Sequence, residues 1–293
     1  MKKARLLAAV TKDAYVTWEM KALHRAARRR GVRLAVIDPR AASFDVTHRI
    51  LSARTMEGAT PSAVLGRIDL DCMTDGVRLL SLMESANIPV LNDAAAFHRG
   101  RDKAVTAAAL HAAALPHPPT WVLGWPDVLE QARHLAYPLV VKPITGSGGR
   151  GVRRIESARQ LRAIPAPEFP LLAQAYCGPV RRDLRVLVLQ GEALGTVVRT
   201  PRAGDWRGNA EQGASCCDAG RDPAAEALAR AAAQAVGADF AAVDLLETET
   251  ELWALEVNLC PGFAHFERAT GADVAGRVIE ALLELAAGKG GSP

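Results

Sequence analysis

Three sets of residues in this sequence combine the types and spacings that phosphate and divalent-ion chemistry requires. The first is Val140-Val141-Lys142-Pro143-Ile144-Thr145-Gly146-Ser147-Gly148-Gly149-Arg150-Gly151, a lysine closing an apolar run with four glycines in the turn behind it. Amides without side chains in such a turn can close around phosphate oxygens. No G-K-[ST] follows and the next segment reads as a strand, which excludes a Walker A loop. The lysine precedes the glycines, which excludes a kinase loop. A plain glycine-rich hairpin is the competing reading.

The second set is Asp244 in Val243-Asp244-Leu245 with Glu256 and Asn258 in Leu255-Glu256-Val257-Asn258. Residues two apart on a strand share a face, and Asp244 joins Glu256 and Asn258 if the two strands are antiparallel neighbours. Three oxygen donors on one face suit a hard cation such as Mg²⁺. Val243, Leu245, Leu255 and Val257 would then form the opposite, apolar face, and an exposed polar sheet face is the alternative. The third set is cationic: Arg185 behind Asp183, then Arg199, then Arg202, Arg207 and Asn209 in a polar loop, with Lys103 behind Asp102 at a helix start. Gathered around a phosphate loop, such groups balance a triphosphate and the charge of phosphoryl transfer. Singly, each is an ordinary solvated residue.

The elements that must position these groups follow from the pattern. Residues 5–92 alternate short apolar runs (6–11, 34–38, 63–68, 89–92) with amphipathic stretches (17–30, 74–86), which predicts βαβ units on a mainly parallel sheet. No G-x-G-x-x-G follows the first strand, so the dinucleotide fingerprint is absent. Residues 93–167 read as a helix at 102–114, a proline-rich connection, a helix at 127–135, strands at 138–143 and 151–155, and a capping box from Ser157 to Gln160. Residues 168–293 read as strands at 171–176, 184–189 and 193–200, a polar loop at 201–220, a helix at 223–236, strands at 240–247 and 252–258, and a closing helix at 273–287. The expected organisation is therefore α/β, with units at 1–92, 93–167 and 168–293.

Composition narrows the class. With 36 Lys and Arg against 32 Asp and Glu, a net +4 over 293 residues does not call for a nucleic acid or an anionic membrane. Five cysteines fit neither a paired disulfide framework nor a C-x-x-C metal spacing, and they read as reduced thiols in a cytoplasmic protein. The uncharged run 104–126 contains Pro116, Pro118 and Pro119, so no membrane span is expected.

Taken in order, Asn92, Arg101-Asp102-Lys103, Lys142 with Gly146 to Gly151, Gln174-Ala175-Tyr176, Asp183-Leu184-Arg185, Asp205-Trp206-Arg207-Gly208-Asn209, Asp244 and Glu256-Val257-Asn258 resemble the ATP-grasp superfamily. Val64-Leu65-Gly66-Arg67-Ile68 and the run from Glu267 to Ala275 are similar to its RimK-type amino-acid ligase branch, and the likeness spans nearly the whole chain. That branch holds a ribosomal-protein glutamate ligase, a lysine-biosynthesis carrier-protein ligase and coenzyme glutamate ligases.

The resemblance implies an ATP-grasp fold, with an N-terminal parallel βαβ domain and two α+β subdomains that clasp ATP. It implies an ATP-dependent ligase that joins an amino acid, expected to be glutamate, to a carboxylate through an acyl-phosphate. The acceptor would be a protein tail, a carrier protein, a peptide or a pterin-like coenzyme. By the same resemblance Lys103 and Lys142 touch the phosphates, while Gly146, Ser147, Gly148 and Gly149 form a lid. Gln174, Ala175 and Tyr176 hold adenine, and Asp183 reaches the ribose. Arg185 and Arg207 stabilise the transferred phosphoryl group, and Asp244, Glu256 and Asn258 hold two Mg²⁺ ions, with Mn²⁺ as an alternative. Arg67, Arg199 and Asn209 bind substrate. A homodimer or homotetramer is the implied assembly. A dipeptide- or glutathione-type synthetase and a nucleotide-binding scaffold without turnover are the other functions this architecture hosts. The chain departs from the pattern at Ala175, where a glutamate is common, and at Cys260, where a small residue is usual.

Overall fold

The first apolar run forms β1 (Leu6–Val10), and every residue of it is buried. The structure is a computed structural model that describes residues 6–12, 17–56, 58–124, 130, 133–146, 148–165, 170–202 and 213–288. In it β1 pairs in parallel with β2 (Arg33–Ile37) and, on its other side, with β5 (Ala63–Gly66), beyond which lies β6 (Val90–Leu91). A small hairpin, β3 (Ser43–Asp45) with β4 (Ile50–Ser52), interrupts the progression. Leu6, Ala8 and Val10 enter one core while Leu7 and Ala9 enter another, which is why these strands read as unbroken apolar runs. Helix α1 (Trp18–Arg29), capped by Thr17, covers the second face, and α2 (Met73–Ser85) contributes to the first.

The helix expected at 102–114 is present, and a second helix that the sequence reading left out precedes it. Helix α3 (Ala94–Arg101) is capped by Asp93 and ends at Asp102, whose extended backbone breaks the helix and whose side chain caps α4 (Lys103–Ala112). The central unit is an antiparallel sheet of β7 (Thr120–Leu123), β8 (Leu139–Pro143), β9 (Arg153–Ile155) and β10 (Leu171–Ala175), in the order β7-β10-β8-β9. It has its own small core, from Leu123, Leu139, Val141, Ile155, Ala173 and Leu161 of α5 (Ala158–Arg162). Because β10 belongs to it, this sheet reaches Ala175, beyond the edge expected at 167. Most of the helix expected at 127–135 lies outside the described residues.

The third sheet is antiparallel throughout, in the order β13-β12-β11-β14-β15. Its strands are β11 (Arg182–Leu189), β12 (Glu192–Thr200), β13 (Ser215–Asp218), β14 (Phe240–Glu247) and β15 (Leu252–Asn258). β13 lies within the segment expected to be loop; its Ser-Cys-Cys-Asp sequence carries no strand alternation, and pairing with β12 holds it. Leu184, Val186 and Val188 pack under the alanine face of α6 (Pro223–Val236), which starts at capping Asp222 and stops at Gly237 as its sequence predicts. On the opposite face Leu187 and Leu189 meet Phe263 and Phe266, the latter from α7 (Ala264–Thr270), whereas Asp183 and Arg185 on the same row are charged. The closing helix, α8 (Val274–Ala286), packs on α1 and on the first sheet. Among the described residues no helix is long and apolar enough to cross a membrane.

Asn92 locks the first sheet to the third. It is fully buried, its Nδ2 donates to the carbonyls of Phe240 (2.6 Å) and Leu259 (3.0 Å), and its Oδ1 accepts from the Phe240 amide (2.9 Å). Gly100 completes the contact, because a Cβ there would sit 1.8 Å from Leu259 Cδ1. Asn92 has φ +61°, which asparagine tolerates and glycine adopts freely. Asn92→Gly therefore keeps the backbone and removes only the three bonds, and it should lower stability by about 3 kcal/mol because the partner groups are left buried and unpaired. Chemical denaturation of the variant checks this; an unchanged midpoint would assign the lock to backbone geometry alone.

Candidate active site

The register of the third sheet assembles the acids. Asp244 stands opposite Glu256, and Asn258 follows two residues on, so all three share one face as the sequence spacing requires. The opposite row differs from the sequence reading. A bulge beyond Asp244 pairs Leu245 with Ala254, so Leu255 is the extra residue and Ala254 takes its place among the buried apolar side chains.

Each acid is already held by a cation. Arg185 lies across from Asp244 and grips it through Nε (2.7 Å) and Nη2 (2.8 Å), and Arg199 Nη1 adds a third bond at 3.1 Å. Burial would raise the Asp244 carboxyl, but the two guanidinium groups outweigh it and hold it down to about 2. Arg199 also grips Asp183 through Nε (2.9 Å) and Nη2. Burial pushes Asp183 up to about 6 against the pull of Arg199. Asp183 is thereby the counter-ion of Arg199, and Arg199, 7% exposed, is enclosed between the carboxylates of Asp183 and Asp244.

Lys103, the first residue of α4, connects this face to the glycine turn. Its Nζ lies 3.1 Å from Glu256 Oε1 and donates to the Gly146 carbonyl at 2.8 Å, while its amide donates to Ile144 O. Gly148 and Gly149 have φ +70° and +67°, values that side-chain-bearing residues rarely adopt, so glycines suit this turn. Ser147 lies outside the described residues, as do Arg207 and Asn209. Lys142 projects from β8 and is 8% exposed. Burial lowers its pKa to about 8, opposed by Glu256 and aided by Lys103. Asn258 Oδ1 accepts from the Cys260 amide at 3.0 Å.

The hinge after β10 is partly committed. Gln174 Nε2 donates to Thr120 Oγ1, and the amides of Ala175 and Tyr176 donate to the carbonyls of Pro119 and Pro138. These two residues therefore offer an adenine acceptor carbonyls rather than donors. Arg67, at the end of β5, is buried and donates through Nη1 to the Pro261 carbonyl at 3.0 Å, in the loop that follows Asn258. One group escaped the sequence reading. Arg101 lines a cleft with Leu70, Gly100, Lys103, Gly146, Glu256 and Asn258, and its Nε is buried without a hydrogen-bond partner. Its place two residues before Lys103 was the available signal.

The donor set fits Mg²⁺: two carboxylates and an amide oxygen on one face are hard ligands, and lysines beside them leave room for phosphate oxygens to complete the shell. Among the described residues no group of three His, Cys, Asp or Glu side chains gathers elsewhere to offer another centre.

Comparison with known proteins agrees with this geometry. Residues 100–282 match the family model described as a RimK-like ATP-grasp domain. The chain is 30% identical over 272 residues to a ribosomal protein bS6–L-glutamate ligase of Salmonella paratyphi B, covering 90% of this chain and 91% of that one. A RimK domain ATP-grasp protein from Sphaerobacter thermophilus superposes with TM-score 0.72 at 23% identity, covering 96% of this chain and 100% of that one. The ATP-grasp ligase PsnB, complexed with minimal precursor, Mg and ADP, superposes with TM-score 0.74 at 18% identity over 98% and 99% of the two chains.

Lys142 supplies a pH test. An anionic phosphate beside it favours its charged form and raises its lowered pKa, so ADP binding at pH 8 to 9 should take up a proton, and the uptake should fade below pH 7 where Lys142 is already charged. Calorimetry in two buffers of different ionisation enthalpy measures this. Lys142→Met should abolish the uptake, and equal enthalpies in both buffers at pH 8 would contradict the assignment. By its match to the family model and its likeness to the glutamate ligase, with the fold in agreement, the chain belongs to the RimK-like ATP-grasp family of ATP-dependent ligases.

Proposed function

We propose that this enzyme joins the amine of a glutamate-class amino acid to a carboxylate on a protein tail, carrier protein, peptide or pterin-like coenzyme, with ATP and two Mg²⁺ ions, Mn²⁺ being an alternative. The observation that carries the reading is the convergence of Asp244, Glu256 and Asn258 with Lys103, Lys142 and Arg185 beside a glycine turn. In the first step an acceptor carboxylate oxygen attacks the γ-phosphorus, the bond to the β,γ-bridging oxygen breaks, and ADP leaves with the electron pair. In the second, the amine attacks the acyl carbon, phosphate leaves with the C–O electron pair, and the amine gives up its proton to solvent.

No side-chain nucleophile is needed, because positioning and charge stabilisation supply the catalysis. Lys103 and Lys142 hold phosphate oxygens, and Gly146, Ser147, Gly148 and Gly149 close over them. Arg185, swung off Asp244, and Arg207 balance the charge on the transferred phosphoryl group. Asp244, Glu256 and Asn258 hold the metal, whose contribution when bound is to neutralise phosphate charge. Carbonyls around Gln174, Ala175 and Tyr176 receive adenine. Arg67 retains donors beyond the one on Pro261 and faces the substrate carboxylate, and Asn209 assists at the same end.

The test is a screen of amino acids and carboxylates by coupled ADP release, with the product identified by mass. A mass increase equal to amino acid minus water supports the reading, and ATP hydrolysis without ligated product sinks it. Glu256→Gln should reduce turnover at least about a hundredfold while leaving the melting temperature within a few degrees, since a neutral amide cannot replace the carboxylate charge. Arg185→Ala should lower kcat by roughly a hundredfold, about 3 kcal/mol, with a much smaller change in ATP affinity. Equal losses in both would make Arg185 a binding anchor.

A further inference from the structure

Arg101 ends α3, where a cation at a helix C-terminus ordinarily bonds the last carbonyls. It does not: its Nε is buried and unpartnered, and among the described residues no carboxylate pairs with its guanidinium. Arg67, nearby across the loop after Asn258, gives its described bond to a neutral carbonyl. A guanidinium whose Nε is enclosed without a partner is costly, and Arg101, half-buried at the wall of the cleft, marks a place that an anion completes.

We infer that this cleft is a carboxylate subsite, in which Arg101 holds the acceptor carboxylate that is to be phosphorylated. The inference rests on the ligase reading above and assigns it a binding residue. Two neighbours favour a carboxylate over a phosphate. Lys103, Glu256 and Asn258, in the same cleft, belong to the phosphate and metal side, so a group bound there lies beside the γ-phosphate it must attack. Leu70, from the first domain and 39% exposed, lines the cleft as well, and an apolar side chain serves the carbon skeleton of a substrate rather than a phosphate. The planar fork of arginine matches the two carboxylate oxygens, and lysine does not reproduce it.

The experiment compares wild type, Arg101→Gln and Arg101→Lys in three equilibrium measurements. These are calorimetric binding of acetate, glutarate and N-acetyl-L-glutamate in the presence of Mg·ADP, binding of a fluorescent ADP with Mg²⁺, and melting temperature. Arg101→Gln should weaken the bound carboxylates about tenfold or more, Arg101→Lys less, and both should leave fluorescent ADP affinity within about twofold. Neither should lower the melting temperature, because no partner is lost. Unchanged carboxylate binding in Arg101→Gln, or wild type that binds none of the three, overturns the subsite. An equal loss of nucleotide affinity assigns the guanidinium to phosphate and also overturns it, as does destabilisation of both variants, which would mark a structural role. None of these readouts uses turnover, so a protein that binds carboxylate through Arg101 yet ligates nothing would refute the ligase reading alone.

Discussion

The buried carboxylate of Asp244 is the charge around which the site is arranged. Its oxygens take three guanidinium bonds, and Arg199, which supplies one of them, is itself balanced by Asp183. Removing Arg199 leaves the buried Asp183 without its cation, which is far more costly than losing an exposed pair. The pairing is a consequence of register: Asp183 faces Arg199, Arg185 faces Asp244, and Asp244 faces Glu256 across successive strands. A slip of one residue would turn all of them into the apolar core beneath α6, and the buried Leu184, Val186 and Val188 forbid it. The chemistry-bearing face is therefore fixed by the hydrophobic face behind it.

The first domain is joined to this sheet more firmly than the division into units suggests. Asn92 bonds Phe240 and Leu259, Arg67 bonds Pro261, Gly100 admits Leu259, and α8 packs on α1. Both larger cores mix residues of the first and third sheets. The central sheet alone has a separate core, and Lys103 meets its glycine turn through polar contacts. A displacement of that sheet thus breaks few apolar contacts, whereas the cleft between Leu70 and Asn258 is held from both sides.

Much of this was legible because the residues lie on strands. Spacing alone put Glu256 and Asn258 on one face, and the Pro223 start and Gly237 stop bounded α6 to the residue. The pairing among charges was not legible. Asp183, Arg185, Arg199 and Asp244 are four charges on one sheet face, and which ones neutralise each other depends on the turn at Gln190 and Gly191 and on the register it imposes. Only the register shows that Asp183 and Arg199 pair with each other. Arg101 escaped for the opposite reason: its significance lies in having no partner, a property that no one-dimensional pattern contains. β13 was missed because pairing with β12, rather than local propensity, holds it.

The pairs seen without ligands also constrain how ligands enter. Arg185 can leave Asp244, and Lys103 can leave Glu256, only if other positive charge replaces them, because each carboxylate would otherwise stand beside the other on the same face. Cations released in this way need an anion in turn. Lys142, whose pKa burial lowers to about 8, gains from the same anion. A divalent ion alone would crowd the released Arg185 and Lys103 against Lys142, and a nucleotide alone would press phosphate against Asp244 and Glu256. In the proposed reaction each ligand would remove the electrostatic obstacle to the other, so this charge arrangement would favour joint entry of metal and nucleotide over either alone.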